Sequence, residues 1–412
     1  MTSHPAHPAP PAAPLPKGPV LGWRSLAGAR AAPLPWVGSL THCQPTTSGR
    51  AALYQALKLL ALPPQRTVLV PTYHCPTMVA PVLCAGLRPD FVAIDAQGLP
   101  RLDLLAPAQV QAAGAIIVPH YFGIVRDLIA VRQWCDTHGI ALIEDCAHAL
   151  FGSAAGTAVG RWGDYATASI SKFLPVSEMG LLASARHPVQ HGQQPPGLRA
   201  QLKGAVDVLE QAARFGRPAG LAPLLALLFS LKNRGRGGDT AATDLTANAP
   251  PAPAAGQMMR DCDMPRIGQA PVLAARAIHA LLPRGRLVLQ RQRHYDHYAR
   301  ALAHLPGTRA LVPQRPADTA PYVFPLWVDD AERVYHVLRT EGLPVFRWDR
   351  IWPGTPTLPG DTGPAWSRHV LQLLCHQDLR QRDIERTAAR LRAAASSPPL
   401  SSPAPNTGAA LA

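Results

Sequence analysis

Residues 138–148 read HGIALIEDCAH, and the fold turns on them. Ile140, Ala141, Leu142 and Ile143 follow one another without polar alternation, which predicts a strand buried on both faces, and it runs out into Glu144 and Asp145. The segment before it, DLIAVRQWCDTHG (127–139), opens on Asp127 and places Leu128, Val131 and Cys135 down one side. With Gly139 as its stop, that segment predicts a helix.

Working towards the N-terminus, the same rhythm repeats. VLVP (68–71), FVAID (91–95) and AIIVPH (115–120) are short apolar runs of strand type. Between them lie RAALYQALKLLAL (50–62), with Leu53, Leu57 and Leu60 on one helical face, and the apolar helix TMVAPVLCAG (77–86). Alternation of helices with non-alternating strands predicts an α/β fold, its large, mostly parallel sheet flanked by helices. Ligands on such sheets bind beyond the carboxyl ends of the strands, where Asp145 sits.

Towards the C-terminus the rhythm breaks. HGQQPPG and RGRGGDTAATDLTANAPPAPAAGQ are loops by composition, so 186–255 reads as an insertion. Within it, LAPLLALLFSL (221–231) followed by Lys232, Arg234 and Arg236 is too short to span a bilayer. Packing against a partner subunit is the reading preferred over contact of 221–236 with a membrane surface. After it come a basic helix, RGRLVLQRQRHYDHYARAL (284–302), the strands YVFPLWV (322–328) and LPVFRW (343–348), and the helices DAERVYHVLRTEG (330–342) and DIERTAARLRAAA (383–395). These predict a smaller C-terminal α+β domain. The expected organisation is a disordered Pro/Ala-rich tail over 1–40, a large domain over 41–255, the small domain over 256–395 and a second tail over 396–412.

Composition narrows the function classes. The 412 residues are 47% hydrophobic, with no run long enough for a membrane span and no secretory leader in MTSHPAHPAPPAAPLPKGP. Seven cysteines are scattered without a C-x-x-C pair, which points to reduced thiols in a cytoplasmic setting and away from a zinc cluster or any metal site. The net charge of +14 is spread arginine, and no zinc-finger or RNP-type pattern accompanies it, so nucleic-acid binding is not expected.

Lysine is scarce: Lys17, Lys58, Lys172, Lys203 and Lys232 are all there are. Lys172 stands in SISKFLPVSEMG (169–180), at the end of a strand-like run and before apolar residues. Arginine cannot release its proton, whereas a desolvated lysine can, and only a neutral amine attacks a carbonyl. Three more features fall at strand ends. TTSG (46–49) precedes a helix, and a helix N-terminus of that type takes an anion. Asp145 with His148 follows the central strand, and PTYHCP (71–76) places Tyr73 and His74 after the first. Each alone has an ordinary structural explanation as a cap, a satisfied core histidine or a surface lysine. Together they describe the needs of a pyridine aldehyde cofactor: an amine to hold it, a carboxylate for its ring nitrogen, a phosphate cradle and a flat side chain against its face.

The series SGRAAL, VLVPTYHC, LRPDFVAID, AIIVPHYFG, HGIALIEDCAHALFG and VGRWGDYATASISK resembles the DegT/StrS-type aminotransferases in order and spacing over residues 46–185, and more loosely to about 392. The resemblance implies the aspartate-aminotransferase fold and pyridoxal 5'-phosphate as cofactor. It also implies a homodimer with the site at the subunit interface, and transfer of an amino group from glutamate to a keto-deoxysugar nucleotide. By position, it implies Lys172 as the lysine that holds the cofactor, Asp145 as partner of the pyridine nitrogen, and His148 beside the phenolic oxygen. Thr47, Ser48, Gly49 and Arg50, with Ser169, fall at the phosphate; Arg50 replaces a threonine. Arg266 and Arg347 are candidates for the sugar diphosphate. The chain departs from the family at Ser177–Gly180, where a GEGG-like loop is usual. It departs again at Cys75, where the family has an aromatic, so that Tyr73 or His74 must stack instead. At Met264–Pro265–Arg266 an expected Asn is missing. Two rival readings follow: a sugar dehydratase, against which Lys172 speaks, and a non-catalytic scaffold or sensor, which the altered loop favours.

Overall fold

A computed structural model describes residues 15–221, 223, 224, 227 and 255–396 of the chain. Its first half consists of β1 (His42–Thr46), α1 (Gly49–Leu59), β2 (Thr67–Pro71), α2 (Pro76–Cys84), β3 (Arg88–Val92), α3 (Pro107–Ala112), β4 (Ala113–Pro119), α4 (Ile129–His138), β5 (Ala141–Asp145), the hairpin β6 (Ser153–Ala154) and β7 (Thr157–Ala158), β8 (Tyr165–Ser169), β9 (Gly180–Ser184) and α5 (Leu198–Arg214). The sheet order is β1-β9-β8-β5-β4-β2-β3. β3, β2, β4, β5 and β8 run parallel, and β2 and β4 are buried along their whole length, as their unbroken apolar runs require.

Local chemistry sets the helix ends. Ser48 caps α1 by accepting from Ala51 N at 3.2 Å, Pro76 starts α2, and Gly139 ends α4 in the left-handed region at φ 63°. β9 runs antiparallel to both β8 and β1, with Gly180 opposite Ser169 on one side and Thr46 on the other. The carboxyl ends of β1, β5 and β8 and the start of β9 therefore share one edge of the sheet.

The second sheet is antiparallel, in the order β10-β11-β13-β12, from β10 (Thr308–Ala310), β11 (Val323–Val328), β12 (Val345–Phe346) and β13 (Val370–Leu374). The helices Gly285–Ala301 and Ala331–Thr340 cover it, and Gln381–Ser396 packs on both of them. A single apolar cluster runs from Leu69 and Ile116 of the first sheet to Phe324 and Leu371 of the second, so the two sheets share one core.

Three expectations need correction. The predicted N-terminal tail packs from residue 15 onward. Val20 and Val37 are buried, Val20 N donates to Asp378 Oδ2, Leu15 N donates to Gly342 O, and Trp36 stacks on Phe151. Proline-rich composition hid this, because the segment docks by isolated apolar residues without periodicity. The predicted 186–255 insertion contains α5, whose face of Gly204, Val208 and Ala212 packs on the helix Leu273–Leu281; the flanking loop composition masked it. The predicted strand 343–348 shrinks to two residues, because only Val345 and Phe346 reach a partner strand. Most of 221–236, and all of the C-terminal tail beyond Ser396, lie outside the described residues. Among the described residues no helix is long and apolar enough to cross a membrane.

Candidate active site

At the shared strand edge, three turns converge within a tight corner. Thr46 Oγ1 donates to Ser48 O at 2.9 Å and Thr47 Oγ1 to Arg266 O at 3.0 Å, which fixes the turn into α1. A Cβ on Gly180 would come within 2.3 Å of the Ser48 carbonyl, and one on Gly49 within 3.3 Å of Ser169 Cβ. The N-terminus of α1, Ser169 and the start of β9 can approach this closely only because both positions are glycine.

The corner opens into a cavity of about 380 Å³. Ser48, Gly49, Ser169 and Ser171 line it together with Asp145, His148 and Lys172, and with Tyr121 and Trp348. β5 brings Asp145 to its place as the strand leaves the sheet, and Asp145 Oδ1 accepts from Ala147 N at 2.9 Å. Behind it, Glu144 is fully buried and accepts from Gly160 N and from the His120 ring, whose other nitrogen accepts from Arg126 N. His120 N in turn donates to Asp145 O. That network holds the ends of β4 and β5 together.

Lys172 ends the short helical turn that follows β8. Among the described residues its amine has no hydrogen-bond or ion-pair partner, and it lies over the Tyr322 ring, 5.4 Å from the centroid. Burial pulls its pKa below the usual lysine range, while Cys75 and Asp145 push the other way. Burial also raises the Asp145 carboxyl, against the Ala147 N–H and the Lys172 charge. His148 is driven well below the ordinary histidine range by burial and by Lys172, so it is neutral, with its ring 4.4 Å from Tyr322 and 4.9 Å from Trp348. One cavity thus combines an amine inclined to lose its proton, a carboxyl in want of a cation, and a neutral imidazole.

The remaining expected residues divide. Arg50 lines the cavity mouth and pairs with Glu178 at 2.6 Å and Asp263 at 3.2 Å, and Arg266 reaches the other Glu178 oxygen at 3.1 Å. Thr47 is buried beside the corner. Tyr73 and His74, expected to stack on a ligand, do not line the cavity. Tyr73 is packed among Tyr121, Phe122, Trp348 and Trp366, and His74 lies against Phe91 with its ring bonded to Pro71 O and Trp352 N. β2 aims both into the core, and Cys75 is the first residue past them to face the cavity. Arg347 also lies elsewhere, paired with Glu332 and Asp349 on the helix side of the second sheet.

Sequence reasoning missed Tyr121, Trp348 and Tyr322. Tyr121 carried a signal, since it directly follows the AIIVPH run; Phe122 at φ 63° and Gly123 at φ 88° turn the chain there. Trp348 and Tyr322 carried none, because their neighbours are ordinary strand residues.

Residues 36–184 match the sequence profile of the DegT/DnrJ/EryC1/StrS aminotransferase family. This segment is similar to members of that family. It is 34% identical over 147 residues to a dTDP-4-dehydro-2,3,6-trideoxy-D-glucose 4-aminotransferase of Saccharopolyspora spinosa, a match covering 35% of this chain and 38% of the relative. It is likewise 34% identical over 170 residues to an L-glutamine:2-deoxy-scyllo-inosose aminotransferase of Streptoalloteichus tenebrarius, covering 40% and 39%. The chain therefore spans about two fifths of the length of the curated relatives it matches. The likeness of fold extends further: the sugar aminotransferase CalS13 from Micromonospora echinospora superposes with a TM-score of 0.58 at 19% identity, over 92% of this chain and 99% of that one. The second sheet thus belongs to the same architecture as the family segment.

Proposed function

We propose that this protein is a pyridoxal-phosphate-dependent aminotransferase that moves an amino group from glutamate to a keto-deoxysugar nucleotide. The observation that carries the reading is that Lys172 and Asp145 line one cavity beside the N-terminus of α1. The residues present suit the cofactor: hydroxyls of Ser48 and Ser169 and the first N–H groups of α1 suit its phosphate, and the desolvated Asp145 carboxyl suits a protonated ring nitrogen. When bound, the cofactor supplies an aldehyde that accepts the amino group and a ring that stores an electron pair.

The chain's own residues would then act as follows. Lys172 holds the cofactor through Nζ. With a donor bound there, its poorly protonated Nζ would take the proton from the donor's α-carbon and return it. Asp145 gains a cation to pair with, which offsets its burial. His148, Tyr322 and Trp348 close the wall and keep water from the amine. Arg50, which lines the cavity, and Arg266, which shares Glu178 with it, are the candidate cations for a sugar diphosphate. Arg347 drops out of that role. A homodimer with the site at its interface, and a cytoplasmic location, belong to the same reading.

Absorbance of the purified protein tests it. A yellow species bleached by glutamate, with release of 2-oxoglutarate, is the expected outcome. A colour indifferent to every amine donor would favour a non-catalytic scaffold, and a protein that takes up no pyridoxal phosphate would end the proposal.

A further inference from the structure

Arg291 lies on the helix Gly285–Ala301, 119 residues along the chain from Lys172, and has no exposed surface. A guanidinium keeps its charge in a protein, so complete burial demands partners. Among the described residues it forms no ion pair with a carboxylate. Its donors go to neutral oxygens: Nη2 to Lys172 O at 2.7 Å, Nη1 to Pro321 O at 3.2 Å and Nε to Gln377 Oε1 at 3.1 Å. Its flat face lies over the Phe173 ring, with Cζ 4.3 Å from the centroid. Gln377 completes the arrangement by donating from Nε2 to Phe173 O at 2.8 Å.

Two consecutive carbonyls, those of Lys172 and Phe173, are therefore each held by one member of an Arg–Gln pair whose members also hold each other. The third carbonyl, of Pro321, precedes Tyr322, whose ring faces both the Lys172 amine and His148. Stability is a poor explanation for such a residue. An apolar side chain of similar volume would fill the site without desolvating a charge, and exchanges of that kind are often neutral or stabilising. What an apolar residue could not do is hold the Lys172 and Pro321 carbonyls, from two separate segments, together with the Gln377 amide oxygen around one guanidinium.

We propose that Arg291 and Gln377 are positioning residues for Lys172. They lock the lysine turn to the Pro321–Tyr322 segment, so that the amine stays at one depth in the cavity and under one ring. What that amine does chemically rests on the proposed function; its placement does not.

The test is competitive labelling of the full-length chain with trace acetic anhydride across a pH series. Modification at Lys172 is read by mass spectrometry against Lys58 and Lys203 as internal standards. In Arg291→Met and Gln377→Leu the turn loosens, water reaches Nζ, and the Lys172 midpoint moves towards that of an ordinary lysine. A rise of about one pH unit makes Lys172 about tenfold less reactive at neutral pH. Arg291→Lys, which can still donate to one or two of the three oxygens, restores part of the shift. A purely structural role would lower the melting temperature of these variants and leave the midpoint where it is, and that result overturns the proposal. If Arg291→Met does not fold, Gln377→Leu decides alone, since it keeps the charge and the Arg291 bonds to Lys172 O and Pro321 O while removing the donor to Phe173 O and the acceptor for Arg291 Nε. Uptake of pyridoxal phosphate by the unmodified protein is scored separately. Failure of uptake with a shifted Lys172 midpoint rejects the cofactor and leaves the positioning role standing.

Discussion

The two sheets reach the cavity by different routes. The parallel sheet delivers Asp145 and Ser169 from strand ends, and Lys172 from the turn that follows one, each within a few residues of the apolar run that forms its strand. The antiparallel sheet delivers Tyr322 and Trp348 from the start of one strand and the loop after another, and Arg291 from a helix that covers the sheet. Polar chemistry at a strand end is written in the strand itself, because a buried run must stop where the ligand begins. Walls and clamps are written only in the packing, since an aromatic or a buried arginine in the second half is bound to the site by tertiary contact alone. The parallel sheet should therefore hold the large effects on chemistry, and the antiparallel sheet the moderate ones.

The strongest break in that division is Lys172→Ala. With it the transfer of amino groups from glutamate is expected to fall by at least about 10³-fold, within the range of a lost acid–base group that also holds the cofactor. Release of 2-oxoglutarate from the folded variant measures it. Undiminished release would strip the parallel sheet of its leading role. Asp145→Asn comes next. It keeps the shape, removes the charge proposed to pair with the ring nitrogen, and should cost about 10²- to 10³-fold, as lost electrostatic stabilisation does in other sites. Rates within a factor of a few of the unmodified protein would mean that the carboxyl is only a turn residue bonded to Ala147.

The same contrast governs how much was legible beforehand. The strands at 68–71, 91–95, 115–120 and 140–145, the helix before Gly139, and the candidates Ser48, Gly49, Asp145, His148, Ser169 and Lys172 could be read because apolar runs and their end residues are contiguous. Tyr73 and His74 were misplaced because the direction in which a residue leaves a strand end depends on the neighbouring aromatics, and three of these lie far along the chain, at Tyr121, Trp348 and Trp366. α5 and the docked segment from residue 15 were invisible for a related reason. Proline and glycine nearby signalled loops, while the partners that order these segments, such as Asp378 and the helix Leu273–Leu281, lie far along the sequence.

A smaller effect asks whether the sheets are one cooperative unit. His74 sits under the parallel sheet and His294 under the antiparallel one. Both are buried, both rings bond a carbonyl, and burial lowers each from 6.5 to about 4. A histidine neutral in the fold and charged in the unfolded chain makes the unfolded chain bind more protons between about pH 4 and 6.5. Stability therefore rises with pH across that window and is lost as pH falls below 6.5, by roughly 2 kcal/mol per group at pH 5. Because the apolar cluster is continuous between the sheets, His74→Gln and His294→Gln should each flatten the acid side of a single melting transition by similar amounts. Two transitions, each sensitive to one substitution, would show the sheets unfolding apart.

The smallest expected effect concerns the arginines. Sequence placed Arg266 and Arg347 together as candidates for a diphosphate, and the fold separates them. Neither arginine lines the cavity itself, but Arg266 shares with Arg50 the carboxylate of Glu178, which does, whereas Arg347 is bonded to Glu332 and to Ser367 O. An ion pair whose acid is largely exposed contributes up to about 1 kcal/mol to stability. Arg347→Gln should leave KM for the sugar nucleotide and kcat within about twofold, since a lost surface pair changes little beyond local order. Arg266→Gln removes a cation at the mouth and frees one oxygen of a largely buried carboxylate, so KM for a diphosphate-bearing acceptor should rise while the glutamate half-reaction stays close to normal. The paired measurement separates mouth from flank within one residue type. Equal responses of the two variants would return Arg347 to the site and show that the second sheet moves towards the cavity when the acceptor binds.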